Sequence, residues 1–118
     1  RHPDVFGSCG SMSGGVDITK FPNKWKIDQR IGKYETNKQA WAEHAVINLV
    51  PTIKAGQNII IDDGYSDFFY EVNCNLHKAL LDAKIPHDFT IRPGAHTWEY
   101  WTNAIDYQML FFAKAFAK

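Results

Sequence analysis

Three short apolar segments and two longer amphipathic ones dominate the pattern of hydrophobic positions. Residues 58–62 contain three consecutive isoleucines, and a strand that is apolar on both faces is typical of the interior of a parallel sheet. Residues 5–11 form a run of small and apolar side chains, and Asp88–Arg92 forms a weaker apolar run. The pattern therefore predicts three strands.

Apolar residues recur at helical spacing after the 58–62 strand and after the Asp88–Arg92 strand. Asp67 stands at an N-cap position, and apolar residues at positions 68, 72, 76 and 80 predict a helix over residues 68–83. Residues 101–116 predict a closing amphipathic helix. Strands and helices that alternate with short connections favour an α/β fold. We expect the three strands to lie parallel and side by side, with both helices packed against them.

The segment between the first two strands is less regular. Turn-forming residues mark a loop, and polar residues continue to about Thr36. Thr36 and Gln39 fit a capping box for a helix that contains Trp41. Pro51 argues against a single long helix, and Asn48 offers the N-cap of a second, shorter one.

Composition limits the classes of protein that fit this chain. Its 118 residues, 45% of them hydrophobic, suffice for one compact domain and are too apolar for a disordered chain. Thirteen basic and thirteen acidic residues give a formal charge of zero, whereas nucleic-acid-binding proteins normally carry a basic surplus. No apolar run approaches the roughly 18 residues that span a bilayer. Cys9 and Cys74 cannot form a disulfide framework and leave the cellular compartment undecided.

Acidic residues and a histidine follow two of the predicted strands. Asp62, Asp63 and Asp67 come at or after the end of the triple-isoleucine strand, and His96 follows the Asp88–Arg92 strand. Because functional groups in open α/β sheets gather at the carboxyl ends of the strands, an acid and His96 should meet at one edge. A carboxylate there can hold the histidine tautomer whose other nitrogen acts as a base. From spacing alone, however, a helix N-cap at Asp67 and a solvent-exposed turn histidine remain the simpler interpretations.

The sequence around these residues resembles a known family. The segments that carry the resemblance are Ile59-Ile60-Ile61-Asp62-Asp63-Gly64-Tyr65-Ser66-Asp67-Phe68-Phe69-Tyr70-Glu71-Val72-Asn73 with Leu76-His77-Lys78-Ala79-Leu80 after it, Arg92-Pro93-Gly94-Ala95-His96-Thr97-Trp98-Glu99-Tyr100-Trp101, and the chain start from His2 to Gly15. They are similar to the putative esterase family that includes esterase D and tributyrin esterase. The resemblance implies an α/β-hydrolase fold, in which Asp67 matches the catalytic acid and His96 the general base.

The family's nucleophile motif is missing from the chain. In the family the nucleophile is the serine of a Gly-x-Ser-x-Gly turn, whereas methionine holds the central position of Gly10-Ser11-Met12-Ser13-Gly14. Ser11, Ser13 and Cys9 are therefore poor nucleophile candidates. The resemblance implies that residues 1–118 are the C-terminal half of a single α/β-hydrolase domain, without the nucleophile-bearing N-terminal half. Met12 and Trp98 are candidates for the substrate pocket.

We expect the chain to be a fragment of a serine carboxylic-ester hydrolase that is inactive alone. Its expected partners are a small-molecule ester and either the missing half or a second copy, joined at the uncovered edge of the 5–11 strand. No cofactor, metal, nucleic acid or membrane partner is expected. The alternative is a non-catalytic module that binds carbohydrate or another ligand through tryptophans. That alternative requires the tryptophans to line one exposed face, with Asp67 turned away from His96; they are Trp25, Trp41, Trp98 and Trp101.

Overall fold

The core of the fold is a sheet of three parallel strands. The computed structural model describes residues 1–117, and its strands are β1 (Ser8–Met12), β2 (Asn58–Gly64) and β3 (Asp88–Arg92). β2 lies in the middle, with Ser8 opposite Asn58 and Ile60 opposite Asp88. The predicted parallel arrangement is confirmed. β1 begins later than the predicted residue 5, and β2 continues to Gly64.

Two long helices cover the two faces of the sheet. α3 (Tyr70–Asp82) packs against Ile59 and Ile61 of β2 through Val72, Leu76 and Leu80. α4 (Trp98–Phe116) covers the opposite face of the sheet. Ile60 points to that face, because successive side chains along a strand alternate between the two faces. Burial on both faces explains why β2 has no polar alternation.

The two helices begin at positions that the apolar spacing alone does not determine. α4 starts before the predicted residue 101, because Thr97 is its N-cap and accepts a hydrogen bond from the backbone of Tyr100 at 3.3 Å. α3 starts at Tyr70 instead of residue 68, after a turn that Asp67 stabilises. Both differences change which side chains lie on loops at the carboxyl end of the sheet.

Short helices fill the region between β1 and β2. They are a 3-10 helix at Ile18–Lys20, α1 (Asp28–Ile31), a 3-10 helix at Tyr34–Thr36, α2 (Lys38–His44) and a 3-10 helix at Val46–Thr52. The predicted capping box is absent, since the Thr36 hydroxyl donates to the carbonyl of Lys33 and the Gln39 amide donates to Glu43. Trp41 is fully buried, and its indole N–H donates to the carbonyl of Gly32 at 2.8 Å.

Both outer strands of the sheet, β1 and β3, have an unpaired edge within the described chain. Among residues 1–117, β1 pairs only with β2, and an apolar cavity of about 690 Å³ lies against both strands. Val16, Val50 and Ile59 are among its lining residues, while Asp67 and His96 are not. Within the described part of the chain, no helix has the length and apolarity needed to cross a membrane.

Candidate active site

Asp67 and His96 meet at the carboxyl end of the sheet. Asp67 lies on the loop after β2, and His96 lies on the loop after β3, so the parallel pairing of the two strands delivers both loops to one edge. The pairing continues beyond the strands. The backbone N–H of Tyr65 donates to the carbonyl of Arg92 at 3.1 Å, and that of Ser66 donates to Gly94 at 2.9 Å. The two loops are therefore held to each other by backbone hydrogen bonds.

A hydrogen bond joins the two side chains directly. Asp67 Oδ2 lies 2.9 Å from His96 Nδ1, a normal hydrogen-bond distance, and the expectation that an acid and His96 meet at one edge is confirmed. The carboxylate is fully buried and the imidazole is 29% exposed. Because a carboxylate can only accept, this contact favours the tautomer with the proton on Nδ1 and leaves the Nε2 lone pair free. In this tautomer, Nε2 of His96 can accept a proton.

Asp67 also organises its own loop. Its second oxygen, Oδ1, accepts a hydrogen bond from the backbone N–H of Phe69 at 2.8 Å. This contact closes a turn just before α3. The N-cap of α3 is Phe69, without a side-chain capping bond, so the predicted N-cap at Asp67 is wrong. Each carboxylate oxygen of Asp67 has a different partner, one in its own loop and one in the histidine loop.

Three aromatic rings surround the His96 imidazole. The ring centroids of Phe68, Phe69 and Trp101 lie 4.5, 5.4 and 4.7 Å from its own. The Phe68 ring is inclined by 36° to the imidazole, whereas Phe69 and Trp101 meet it edge to face at 80° and 89°. This packing fixes the ring orientation, and the sequence argument missed it. The sequence did contain a signal for these aromatic neighbours of His96, because Phe68 and Phe69 directly follow Asp67.

Two glycines allow the acid loop and the histidine loop to approach. A Cβ atom on Gly64 would lie 2.2 Å from the carbonyl oxygen of Gly94 and 3.1 Å from the backbone nitrogen of Ala95. Gly94 itself has a φ of +142°, and a Cβ there would lie 2.4 Å from the Tyr100 ring. The close contact of the backbones requires that Gly64 lacks a side chain, and the positive φ together with the Tyr100 ring requires the same of Gly94.

Replacing Gly64 by alanine should destabilise the fold and separate the two loops. The added methyl group meets backbone atoms, which cannot turn away as a flexible side chain can, so we expect a loss of about 1–3 kcal/mol in the free energy of unfolding. Urea denaturation of the variant measures it. Gly7→Ala is the matched control, since a Cβ at Gly7 meets nothing within 4 Å. Equal stability of the two variants would contradict this account of the loop contact.

The other two aspartates near the end of β2 have structural partners. Asp62 is completely buried; it accepts hydrogen bonds from Arg92 and Thr90 at 2.7 Å each and from the Tyr100 hydroxyl. Burial and the contact with Asp62 raise the pKa of Tyr100 above its ordinary value, so the phenol stays protonated and donates. Asp62 therefore fastens β3 and α4 to β2 and does not reach His96.

Asp63 connects the β1 loop to α3. Its carboxylate accepts hydrogen bonds from the side chain of Asn73 and from the backbone of Gly64, both at 2.9 Å, and Asn73 also donates to the carbonyl of Gly14. Burial, followed by the negative charge of Asp67, raises the pKa of Asp63 to about 6, although its hydrogen bonds act in the opposite direction. Of the three acids that the sequence offered, only Asp67 contacts the histidine.

The nucleophile candidates within the chain are poorly placed. Ser13 is buried, and its hydroxyl oxygen accepts a hydrogen bond from the Trp101 indole at 3.1 Å. Desolvation raises the pKa of the Cys9 thiol, which lowers its thiolate fraction. Among residues 1–117, His96 makes no hydrogen bond to a serine, threonine or cysteine side chain; its hydrogen-bond partner is Asp67.

The two predicted pocket residues lie on different elements. Met12 ends β1, opposite Asp62, and is half-buried. Trp98 is 81% exposed and packs edge to face on Trp101, so one ring separates it from His96. In the described part of the chain, no group of three or more histidine, cysteine, aspartate or glutamate side chains is arranged to hold a metal ion.

The arrangement of the tryptophans does not favour the carbohydrate-binding alternative. That interpretation required all four tryptophans on one exposed face, but Trp41 is fully buried. It also required Asp67 to turn away from His96, whereas their side chains are hydrogen-bonded. Both of its geometric conditions fail.

Comparison with known proteins supplies a family and a set of similar structures. The family model described as "Esterase: Putative esterase" matches residues 1–112. A ferulic acid esterase structure is 28% identical, with a TM-score of 0.69 over 95% of this chain and 42% of its own length. The S-formylglutathione hydrolase FrmB of Staphylococcus aureus is 22% identical, with a TM-score of 0.77 over 93% of this chain and 46% of its own.

A third structure has the same fold. FphF, a fluorophosphonate-binding serine hydrolase of Staphylococcus aureus, is 20% identical, with a TM-score of 0.72 over 93% of this chain and 46% of its own. No curated protein matches the chain significantly. The chain thus spans less than half the length of these three structures.

Proposed function

The chain belongs to the putative esterase family, and we propose from this premise that it supplies the acid and the histidine of a Ser-His-Asp triad in a carboxylic-ester hydrolase. The observation that carries the proposal is the hydrogen bond of 2.9 Å between the buried Asp67 carboxylate and His96 Nδ1. It lies at the carboxyl end of a parallel sheet, where hydrolases of this architecture place these groups.

In each half of the proposed reaction, His96 accepts one proton and passes it on. A serine oxygen attacks the ester carbonyl carbon while its proton moves to Nε2. The imidazolium then gives this proton to the leaving alcohol as the carbon–oxygen bond breaks, which leaves an acyl-serine. A water molecule next loses a proton to Nε2 and attacks the acyl-serine. Return of that proton to the serine oxygen releases the acid and restores the enzyme.

Asp67 orients His96 during both steps. Its charge stabilises the imidazolium that forms each time Nε2 accepts a proton. Its burial strengthens this interaction, because water does not screen it. The Phe69 backbone contact at 2.8 Å keeps the carboxylate in place while the histidine changes charge.

We propose that the nucleophile and the oxyanion-hole donors come from a segment outside these 118 residues. Three observations support this: the similar structures are about twice as long, β1 has an edge that no described strand pairs with, and an apolar cavity of about 690 Å³ adjoins it. The 118 residues would then be the C-terminal half of the whole domain. Association of two copies through the same edge is the alternative way to cover it.

The substrate is proposed to be a small-molecule ester. Two of the similar structures name the first compounds to test: esters of ferulic acid, and the thioester S-formylglutathione, from which a thiol leaves in place of the alcohol. Met12 and Trp98 stay proposed pocket residues, Met12 because it ends β1 at the same edge of the sheet.

The 118-residue chain should be catalytically silent by itself. An acid and a histidine without an activated nucleophile or oxyanion donors lack the groups that contribute most to acyl transfer. The test compares hydrolysis of a short-chain chromogenic ester by the purified chain, by its His96→Ala variant and by the complete polypeptide that carries it. Equal background rates for the first two, with turnover by the third, are expected. Turnover by the chain alone would direct attention to Ser11 and Ser13.

A further inference from the structure

We propose that Asp63 is a positioning residue for the acid–histidine pair, because its carboxylate holds two of the aromatic rings that fix the His96 imidazole. This inference rests on the proposed ester hydrolysis and adds to it a residue that acts on His96 through its neighbours. Two hydrogen-bonded branches lead from the carboxylate, one through a serine to Trp101 and one through an asparagine to Phe69.

The first branch, called the serine branch, runs through Ser13 to Trp101. A hydrogen bond from the Ser13 side chain is one of the interactions that counteract the raised pKa of Asp63. Since an ionised carboxylate can only accept, the Ser13 hydroxyl donates to Asp63 and its oxygen is left to accept from the Trp101 indole at 3.1 Å. The Trp101 ring in turn meets the His96 imidazole edge to face, with 4.7 Å between the centroids.

The second branch, called the asparagine branch, runs through Asn73 to Phe69. The Asn73 amide donates to Asp63 Oδ2 at 2.9 Å and to the backbone carbonyl of Phe69 at 3.0 Å. The backbone N–H of Phe69 donates to Asp67 at 2.8 Å, so this residue is held from both sides. Its ring meets the His96 imidazole edge to face at 5.4 Å. The asparagine branch therefore supports both a ring beside the histidine and the loop of the acid.

A third contact connects the carboxylate to the place where the acid loop and the histidine loop touch. Asp63 Oδ1 accepts a hydrogen bond from the backbone N–H of Gly64 at 2.9 Å. Gly64 is the residue whose backbone lies against Gly94 in the histidine loop. One carboxylate thus joins the loop after β1, the end of β2, the start of α3 and, by way of the serine branch, α4.

The three side chains that form the two branches are buried within the described chain. Asp63 and Asn73 are 0% exposed, and Ser13 is 2% exposed. A segment that completes the domain beside β1 can cover them further but cannot uncover them, so their burial does not depend on what lies at that edge. Because they do not reach the surface, they affect the reaction only through the residues that they hold.

The backbone at Ser13 is held in an unfavourable conformation. Its φ is +54°, in the left-handed region that residues with a side chain rarely adopt. Its N–H donates to the carbonyl of Asp62 at 2.8 Å, which holds the turn in place. Strain of this kind persists where the surroundings impose it and is concentrated at functional sites. Here the turn directs the hydroxyl between Asp63 and Trp101 instead of towards solvent.

The negative charge of Asp63 lowers stability at neutral pH. Burial, followed by the charge of Asp67, raises the pKa of Asp63 to about 6, whereas an aspartate in an unfolded chain has a pKa of about 3.9. Between these values the folded chain retains a proton that the unfolded chain has lost, so the free energy of unfolding falls as the pH rises. The same charge strengthens the hydrogen bonds from Ser13 and Asn73. Lower stability in return for fixed geometry is typical of catalytic sites.

The ionisable neighbours of Asp63 do not neutralise its charge. Asp67 on the same loop, Tyr70 on α3 and Tyr100 on α4 are the ionisable groups that interact with it. Asp67 is itself acidic, and the two phenols stay protonated at neutral pH. Among residues 1–117, no lysine, arginine or histidine side chain forms a salt bridge with Asp63. The hydrogen-bond donors around the carboxylate are therefore its main support.

The test measures hydrolysis of para-nitrophenyl butyrate by the complete polypeptide. Asp63→Asn keeps the shape of the side chain but replaces one accepting oxygen by a donor, which breaks the branches. We expect kcat to fall about 10- to 100-fold, because displacement of a catalytic group by about 1 Å can cost about 10²-fold. KM should change less than about 3-fold, since Asp63 is fully buried and does not contact the substrate.

Asp17→Asn is the matched control. Asp17 is also buried, at 8% exposed, and within the described chain its carboxylate accepts hydrogen bonds from Thr19 in the adjacent 3-10 helix. The same charge change there should leave kcat unaltered. If the ester is hydrolysed and a folded Asp63→Asn keeps the kcat of this control, the positioning role is overturned and the esterase proposal stands.

Ser13→Ala tests the serine branch without removing a charge. It should lower kcat about 3- to 10-fold, and adding it to Asp63→Asn should lower kcat less than about 2-fold further, because both changes break the same path. Effects that multiply in the double variant would show independent roles and overturn the proposal. If Asp63→Asn does not fold, a folded Ser13→Ala with the parent's kcat overturns it as well.

A spectroscopic measurement separates the positioning role from the proposed reaction. The proton that His96 Nδ1 donates to Asp67 gives a proton NMR signal far downfield of the backbone amides when this contact is fixed. Asp63→Asn should shift the signal upfield and broaden it at a temperature well below the melting transition, whereas Asp17→Asn should match the parent. If no ester is hydrolysed but the signal responds in this manner, the esterase proposal fails and the positioning role stands. A signal that is unchanged in a folded Asp63→Asn would overturn the positioning role.

Discussion

Replacing His96 by alanine in the complete enzyme should lower kcat/KM for a short-chain ester by about 10⁴-fold or more. The imidazole accepts and returns the proton in both halves of the proposed reaction, and within the described chain its Nδ1 already contacts Asp67 at 2.9 Å. The catalysis that remains should be the part contributed by substrate binding and oxyanion stabilisation. Initial rates at saturating and subsaturating ester measure kcat and kcat/KM separately.

His44→Ala is the control for this variant. His44 is exposed at the end of α2, and within residues 1–117 its Nδ1 hydrogen-bonds only the carbonyl of Ala40 in its own helix. Its loss should change neither the rate nor the melting temperature appreciably. If His96→Ala keeps a rate within 10-fold of the parent while staying folded, His96 is not the general base.

Replacing Asp67 by asparagine should lower kcat by about 10³–10⁴-fold with little change in the fold. The asparagine side-chain oxygen can still accept from the backbone of Phe69, as Asp67 does at 2.8 Å. Its amide N–H₂, however, would then face His96 Nδ1 and favour the tautomer with the proton on Nε2. In that tautomer the nitrogen that should receive the serine proton has no lone pair, and the imidazolium loses its neighbouring charge.

Asp106→Asn provides the matched control, because Asp106 is exposed on α4. The same charge change at that position should leave kcat unaltered. A parent-like kcat in Asp67→Asn, with the fold preserved by circular dichroism, would show that the acid contributes only to loop structure. In that event the contact with Phe69 would be the whole role of Asp67.

The apolar pattern predicted the sheet well and the site only in outline. The triple isoleucine placed β2 because burial on both faces requires a strand without polar alternation. The ends of the elements were less accurate: β1 starts at Ser8 and α4 at Trp98. These ends depend on single hydrogen bonds, such as that from Tyr100 to Thr97, which hydrophobic spacing does not encode.

The sequence by itself determined the parallel sheet, the family resemblance and the two loops at which an acid and a histidine could meet. The tertiary structure decided that Asp67 contacts His96. Asp62 instead accepts a hydrogen bond from Arg92, and Asp63 accepts one from Asn73. All three aspartates lie at or just beyond the end of one strand, so their positions along the chain do not distinguish them. The choice depends on side-chain direction and on the close approach of the two loops.

The aromatic surroundings of His96 were likewise decided by tertiary structure. Trp41 and Trp25 lie in the same irregular region of the chain, yet Trp41 is fully buried and Trp25 is 54% exposed beside Phe68. Periodicity is a local property that reports which face of an element is covered. Contacts between loops that are distant in sequence depend instead on strand register and on backbone conformations, such as the positive φ at Trp25, that no local pattern specifies.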